Sequence, residues 1–130
     1  MMAYRPGGLR KQFLDICVIY LSPNEKDKWV AHGIETDQIG VGDCVLNAYV
    51  DLCRALQALL KAAAEDSSIQ VFTPAPASVR KRLIHARKLP DEIVEIAEMQ
   101  LTGHFRAILE EPWKPPVKAK TLSASIPVYA

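Results

Sequence analysis

Gly40 and Gly42 close a β-like stretch, and Asp43-Cys44 opens without a linker onto a helical pattern that runs to about Glu65. Val45, Ala48, Tyr49, Leu52, Ala55, Leu56, Leu59, Leu60 and Ala63 follow the i, i+3, i+4, i+7 spacing of a helix with one buried face. A face of that length has to lie against something, and what precedes it is β-like. The fold class expected is α+β, a small antiparallel sheet backed by one long helix.

Residues 12–22, QFLDICVIYLS, are rich in β-branched and aromatic types. Leu14, Ile16, Val18 and Tyr20 alternate with Phe13, Asp15, Cys17, Ile19 and Leu21, so both faces are largely apolar. This predicts a central strand, or one covered on its second face by another element or subunit. Asp15 is expected to be a partly exposed polar residue. Pro23-Asn24-Glu25-Lys26-Asp27 supplies turn chemistry, residues 28–35 return as the hairpin partner, and residues 38–41 complete a meander. Past the helix, Asp66-Ser67-Ser68 breaks the pattern, and residues 69–72 predict a short fourth strand. Thr73-Pro74-Ala75-Pro76 must then be extended or turning.

The remainder reads as two helices and a tail. Ser78 is placed as N-cap of a helix over 79–88. Pro90-Asp91 ends it and starts another, which presents Ile93, Ile96, Ala97, Leu101, Phe105 and Ile108 at helical spacing and ends near Leu109. The organisation expected is an N-terminal arm (1–11), a β-β-β-α-β domain (12–76), a helical extension (77–110) and a Pro-rich tail (111–130). The tail is either loose or an arm that packs on the body or on a neighbouring subunit. Within it Trp113 is the candidate interface anchor, because a large aromatic in an irregular arm needs a surface to bury against.

With 130 residues the chain has room for one modest core and an appendage. Hydrophobic residues make up 49%, which excludes a disordered chain, and a net charge of +1 excludes a whole-molecule field for nucleic acid or anionic membrane. No apolar run approaches the roughly 18 to 20 residues of a membrane span. The basic N-terminus leads into an alternating strand instead of a signal-peptide core, so a cytoplasmic location is expected. The 3 cysteines show no C-x-x-C pairing and fit reduced thiols, Cys17 and Cys53 as small core hydrophobes and Cys44 as a helix-terminal thiol without a neighbouring base. His32, His85 and His104 are scattered without ligand spacing, and neither a metal nor another cofactor is expected.

The order strand, strand, short strand, Gly-Asp turn, long helix, short strand resembles the HicB family of antitoxins over about residues 12–72. That family has a truncated RNase H-like fold with a G-D-(S/T)-x-x-E-A signature at the start of its helix. Here the signature positions are Gly42, Asp43, Cys44, Val45, Leu46, Asn47 and Ala48, preceded by the hairpin that carries Trp29-Val30-Ala31. The family's (S/T)-x-x-E is a capping box. Cys44 and Asn47 replace its two partners, and Asp43 is the expected substitute cap, accepting from an N–H two or three residues on. The resemblance implies a non-catalytic protein that binds and blocks a small HicA-like RNA-cleaving toxin, and the two-faced strand over 12–22 together with the tail points to self-association. A stand-alone oligomeric protein of the same fold without a toxin is the alternative it leaves open.

A second function class rests on charge. Arg80, Lys81, Arg82, Arg87 and Lys88 crowd the helix expected over 79–88. At about 100° per residue, Arg80 aligns with Arg87 and Lys81 with Lys88 in one stripe. The stripe reads as a solvated face, as a set of phosphate contacts for a nucleic-acid-binding regulator, or as a contact for an acidic partner or second subunit. The helix that follows opens with Asp91, Glu92 and Glu95, which would repel DNA at a groove-entering N-terminus. A nuclease needs several carboxylates converging on two metal ions. Asp15, Glu35 and Asp51 show no spacing that forces them together, so catalysis is not expected.

Overall fold

The computed structural model describes residues 15–105 and 117–122. Three strands come first: β1 (Asp15–Leu21), β2 (Trp29–Gly33) and β3 (Ile39–Gly42). They form the antiparallel meander expected from the alternation, with Val18 opposite His32 and Val30 opposite Val41. The β1–β2 turn is tied by the Ser22 N–H donating to Lys28 O at 2.8 Å, and by the Ser22 hydroxyl, which accepts from the N–H groups of Asn24 and Glu25. In the β2–β3 turn Gly33 N–H donates to Gln38 O at 2.8 Å and Asp37 takes a left-handed φ of 57°, a conformation aspartate tolerates better than most residues.

The long helix α1 (Val45–Glu65) follows directly and lies chiefly over β3 and β2. The glycines before it are there for proximity. A Cβ at Gly40 would overlap the Leu52 amide and stand 2.5 Å from Ala48 O, and one at Gly42 would stand 2.5 Å from Ala48 N. Strand and helix backbones therefore meet closely, with no side chain between them at either position. α1 ends at Asp66, whose N–H donates to Ala62 O and whose carboxylate accepts from Ser68. These two bonds with Ser68 hold the Asp66 carboxyl below its usual range.

The chain after α1 departs from expectation in two places. Residues 69–72 do not join the sheet as a fourth strand. Ile69 lies in a bend and 70–72 form no regular element, and just beyond them Thr73 and Ala75 donate to Glu35 O and Ile34 O at 2.9 Å. The helix expected over 79–88 is broken into a short helix α2 (Ala77–Arg80), a 3-10 turn (Lys81–His85) and a strand β4 (Ala86–Lys88). Helix α3 (Asp91–Phe105) follows, with Ala97 and Leu101 buried as the spacing predicts and Ile96 exposed against it. Strand β5 (Val117–Leu122) then inserts beside β1, parallel to it, and pairs antiparallel with β4.

The sheet order is β3-β2-β1-β5-β4. β1 is thus the central strand, and the sheet continues past the boundary expected at residue 76 into both later segments. One face of β1 packs under α1 and α3 through Cys17 and Ile19, with Ala31, Leu52, Cys53, Leu56 and Leu101. The other face is covered by the segment that follows α1: Val18 and Tyr20 pack with Ala75, Val79, Leu83 and Ala86. The two apolar faces of β1 are both covered within the chain. The arm 1–11 and Trp113 lie outside the described residues.

Candidate functional site

At the start of α1 the cap differs from the one expected. Cys44, with extended φ of −151° and ψ of 167°, is the N-cap, and its Sγ accepts from Asn47 N–H at 3.5 Å. Asp43 does not cap the helix backbone. Its Oδ1 accepts from the Asn47 side-chain amide at 2.8 Å. Asn47 thus bonds back toward the cap as the glutamate of a capping box would, by way of Asp43. Gly42, Asp43, Cys44 and Asn47 form one turn, and its bonds serve helix initiation.

Asp15 is fully buried, a correction to the partly exposed position expected for it. Oδ1 accepts from Glu35 N–H at 2.8 Å and Oδ2 from the Thr36 hydroxyl at 2.7 Å. Gly33 makes room for this carboxylate, since a Cβ there would stand 2.5 Å from Asp15 Oδ2. Buried charge needs such partners. Glu35 comes close enough that desolvation first, and the Asp15 charge second, raise its carboxyl above the usual range. Both Asp15 oxygens are committed to holding the β2–β3 turn.

On the opposite face Tyr20, His32 and Asp37 form a chain. His32 Nδ1 lies 3.3 Å from Tyr20 Oη, and Nε2 lies 2.6 Å from Asp37 Oδ1. An ionised carboxylate only accepts, so Nε2 carries the proton between them, and in the neutral imidazole Nδ1 accepts from the tyrosine hydroxyl. The Arg82 guanidinium sits 4.0 Å above the Tyr20 ring. Burial raises the Tyr20 hydroxyl above its usual pKa, with Arg82 opposing and Asp37 adding to the shift. Arg82 fastens the 3-10 turn to the sheet, while the triad fastens the β2–β3 turn to β1.

The basic residues do not share a helix face. Arg80 closes α2 and its Nη1 donates to Ala75 O at 2.9 Å. Lys81 lies in the 3-10 turn, whereas Arg87 and Lys88 lie in β4, with Lys88 3.6 Å from Asp91. The stripe counted at helical spacing is therefore divided among three elements. Cys17, Cys44 and Cys53 are free thiols, and among the described residues no group of three or more His, Cys, Asp or Glu side chains is placed to hold a metal ion. No helix among them is long and apolar enough to cross a membrane.

Large apolar side chains are exposed as well, at Phe72, Ile84, Ile96 and Met99 and on β3. Ile39 and Val41 of β3 are 49% and 43% exposed. Their register opposite His32 and Val30 puts them on the sheet face turned away from α1. Sequence reading singled out neither, nor the His32 chain, although His32 sits in a strand of otherwise small and apolar residues, where a buried imidazole signals a partner. No family model, curated protein or solved structure matches the chain.

Proposed function

We propose that this protein is a non-catalytic binding module of the HicB-like kind, which covers and silences a small, basic, HicA-like RNA-cleaving protein in the cytoplasm. What carries the reading is the contrast between the few buried polar groups, which are committed to structure, and the exposed apolar side chains of β3. The carboxylate of Asp15 and the imidazole of His32 are spent on holding turns, whereas Ile39 and Val41 are left exposed on a short strand. Exposed branched side chains on a rigid sheet are better suited to contact than to chemistry.

Co-expression with the small basic protein encoded beside this one in its genome is the direct test. The expected result is a stable complex and loss of RNA cleavage at equal stoichiometry. Absence of such a neighbour, or undiminished cleavage in its presence, overturns the proposal. Self-association belongs to the same reading, and a monomer by light scattering at micromolar concentration would remove it.

A further inference from the structure

We infer that the outer edge of β3 is a strand-addition site for an extended segment of a partner protein in which branched apolar residues alternate with Lys or Arg. The inference names the contact surface of the binding role proposed above and rests on that reading.

Among the described residues the sheet has two edges, and they differ. β4 is three residues long, carries exposed Arg87 and Lys88, and is followed by Leu89 and Pro90. Shortness, charge and a nearby proline are the usual means of keeping a strand from pairing further. β3 is also short, at four residues, but it lacks the charge and the proline. Its sequence is Ile-Gly-Val-Gly, uncharged throughout, with both branched side chains exposed.

The hydrogen-bond alternation fixes which groups look outward. Gly33 bonds inward with Gln38, so in an antiparallel ladder Gly40 and Gly42 also bond toward β2, and Ile39 and Val41 turn their N–H and C=O groups away. One of these outward groups, a donor, already shows the kind of acceptor it takes. Asp51 Oδ2 takes the Val41 N–H at 2.9 Å, in the place where the carbonyl of a further strand would stand. Asp51 is an exposed side chain on α1, free to swing aside when a backbone carbonyl replaces it.

Charge selects the occupant. Exposed Asp43 follows β3, exposed Asp51 flanks its middle, and Asp37, with a side chain 37% exposed, precedes it. An added strand has two faces. Residues on the side of Ile39 and Val41 meet apolar surface, and their neighbours, turned toward α1, meet Asp51 and Asp43. Alternation of apolar and basic residues satisfies both faces, as pairing at a sheet edge uses the backbone for affinity and alternate side chains for selectivity.

The probe is a fluorescent heptapeptide of alternating Lys and Val, capped at both ends, with the Glu-Val analogue as control. Expected are saturable binding of the Lys-Val peptide at least ~10-fold tighter than its analogue, weakening as salt rises, and new exchange protection of the Ile39 amide. Val41→Lys and Ile39→Lys should each cost ~10-fold or more, and Asp51→Asn should weaken binding of the Lys-Val peptide alone. A Lys-Val peptide N-methylated on alternate amides leaves the protein untouched and should not bind, which keeps the test valid if a variant misfolds. Equal binding of the two peptides, no binding, or binding indifferent to N-methylation and to Val41→Lys overturns the site. If the co-expressed basic protein is silenced equally by the parent and by folded Val41→Lys, the edge is wrong and the covering role stands. If the peptide binds as expected and the basic protein does not, the edge stands and the toxin-blocking role falls.

Discussion

His32 Nε2 and Asp37 Oδ1 meet at 2.6 Å across the β2–β3 turn, while the other ring nitrogen of His32 faces the Tyr20 hydroxyl. One imidazole thereby joins the central strand to the loop that sets the register of β3. His32→Ala leaves the Tyr20 hydroxyl and the Asp37 carboxylate without this partner and opens a cavity, at an expected cost of about 2–4 kcal/mol in denaturant unfolding. Tyr20→Phe removes one bond and should cost about 0.5–1.5 kcal/mol. Similar small losses for both variants would show that the chain of bonds contributes little.

Gly40→Ala should be among the most damaging small substitutions. The added methyl meets the backbone of α1 at Leu52 and Ala48, which cannot rotate away as a side chain can. A loss above about 3 kcal/mol, or failure to fold, is expected. Ile39→Ala, one residue away and exposed, should stay within about 1 kcal/mol. Comparable thermal midpoints for the two would place α1 farther from β3 than described.

Cys44→Ser replaces a weak sulfur acceptor with a hydroxyl at the N-cap, and a gain of about 0.5–1 kcal/mol is expected. The same variant reports on the thiols. Burial pushes Cys17 up and Cys53 up to about 12, so neither should react with a thiol reagent until the protein unfolds. Native parent protein should titrate one fast thiol and the Cys44→Ser variant none. A second fast thiol in the native state would contradict the packing of β1 under α1.

Glu35 gives the pH dependence a sign. Its carboxyl is raised above the ordinary value of 4.5, so the folded chain holds that proton to higher pH than the unfolded chain does. Unfolding free energy contributed by this group therefore falls as pH rises from the ordinary value through the raised one. Glu35→Gln should be more stable than the parent at pH 7 and indistinguishable from it well below pH 4, where both carry a neutral side chain at about that pH. A variant less stable at pH 7 would mean that the glutamate charge has a favourable partner.

The meander, the long helix and the central placement of β1 were legible because each writes a regular period into neighbouring residues. The two-faced apolar run at residues 15–21 called for cover on both sides, and α1 and the segment through Val79 and Leu83 supply it. What was not legible depended on partners distant in sequence. Residues 69–72 have the composition of a strand, but the edge of β1 is taken by β5, which reads as a proline-punctuated tail. Residues 79–88 count as a helix until Ala86–Lys88 are claimed by pairing with β5. Asp15 looked like a solvent-facing residue because its two donors, Glu35 and Thr36, lie across a turn. The cap at Cys44 has a local reason: extended backbone at Cys44 puts its sulfur beside the Asn47 backbone N–H, and the Asp43 carboxylate turns to the Asn47 side chain instead.

The parallel pairing of β1 with β5 has a consequence for how the protein is made. Asp15 finds its sheet partner at Val117, so a chain emerging from the ribosome displays β1 long before it completes that strand's neighbourhood. β1, β2, β3 and α1 can assemble locally while one side of the central strand still waits for its ladder. Closing so long a loop is slow, and an unpaired apolar strand invites intermolecular pairing in the interval. Synthesis therefore includes a vulnerable period set by the separation of β1 from β5, during which the central strand has one edge unprotected.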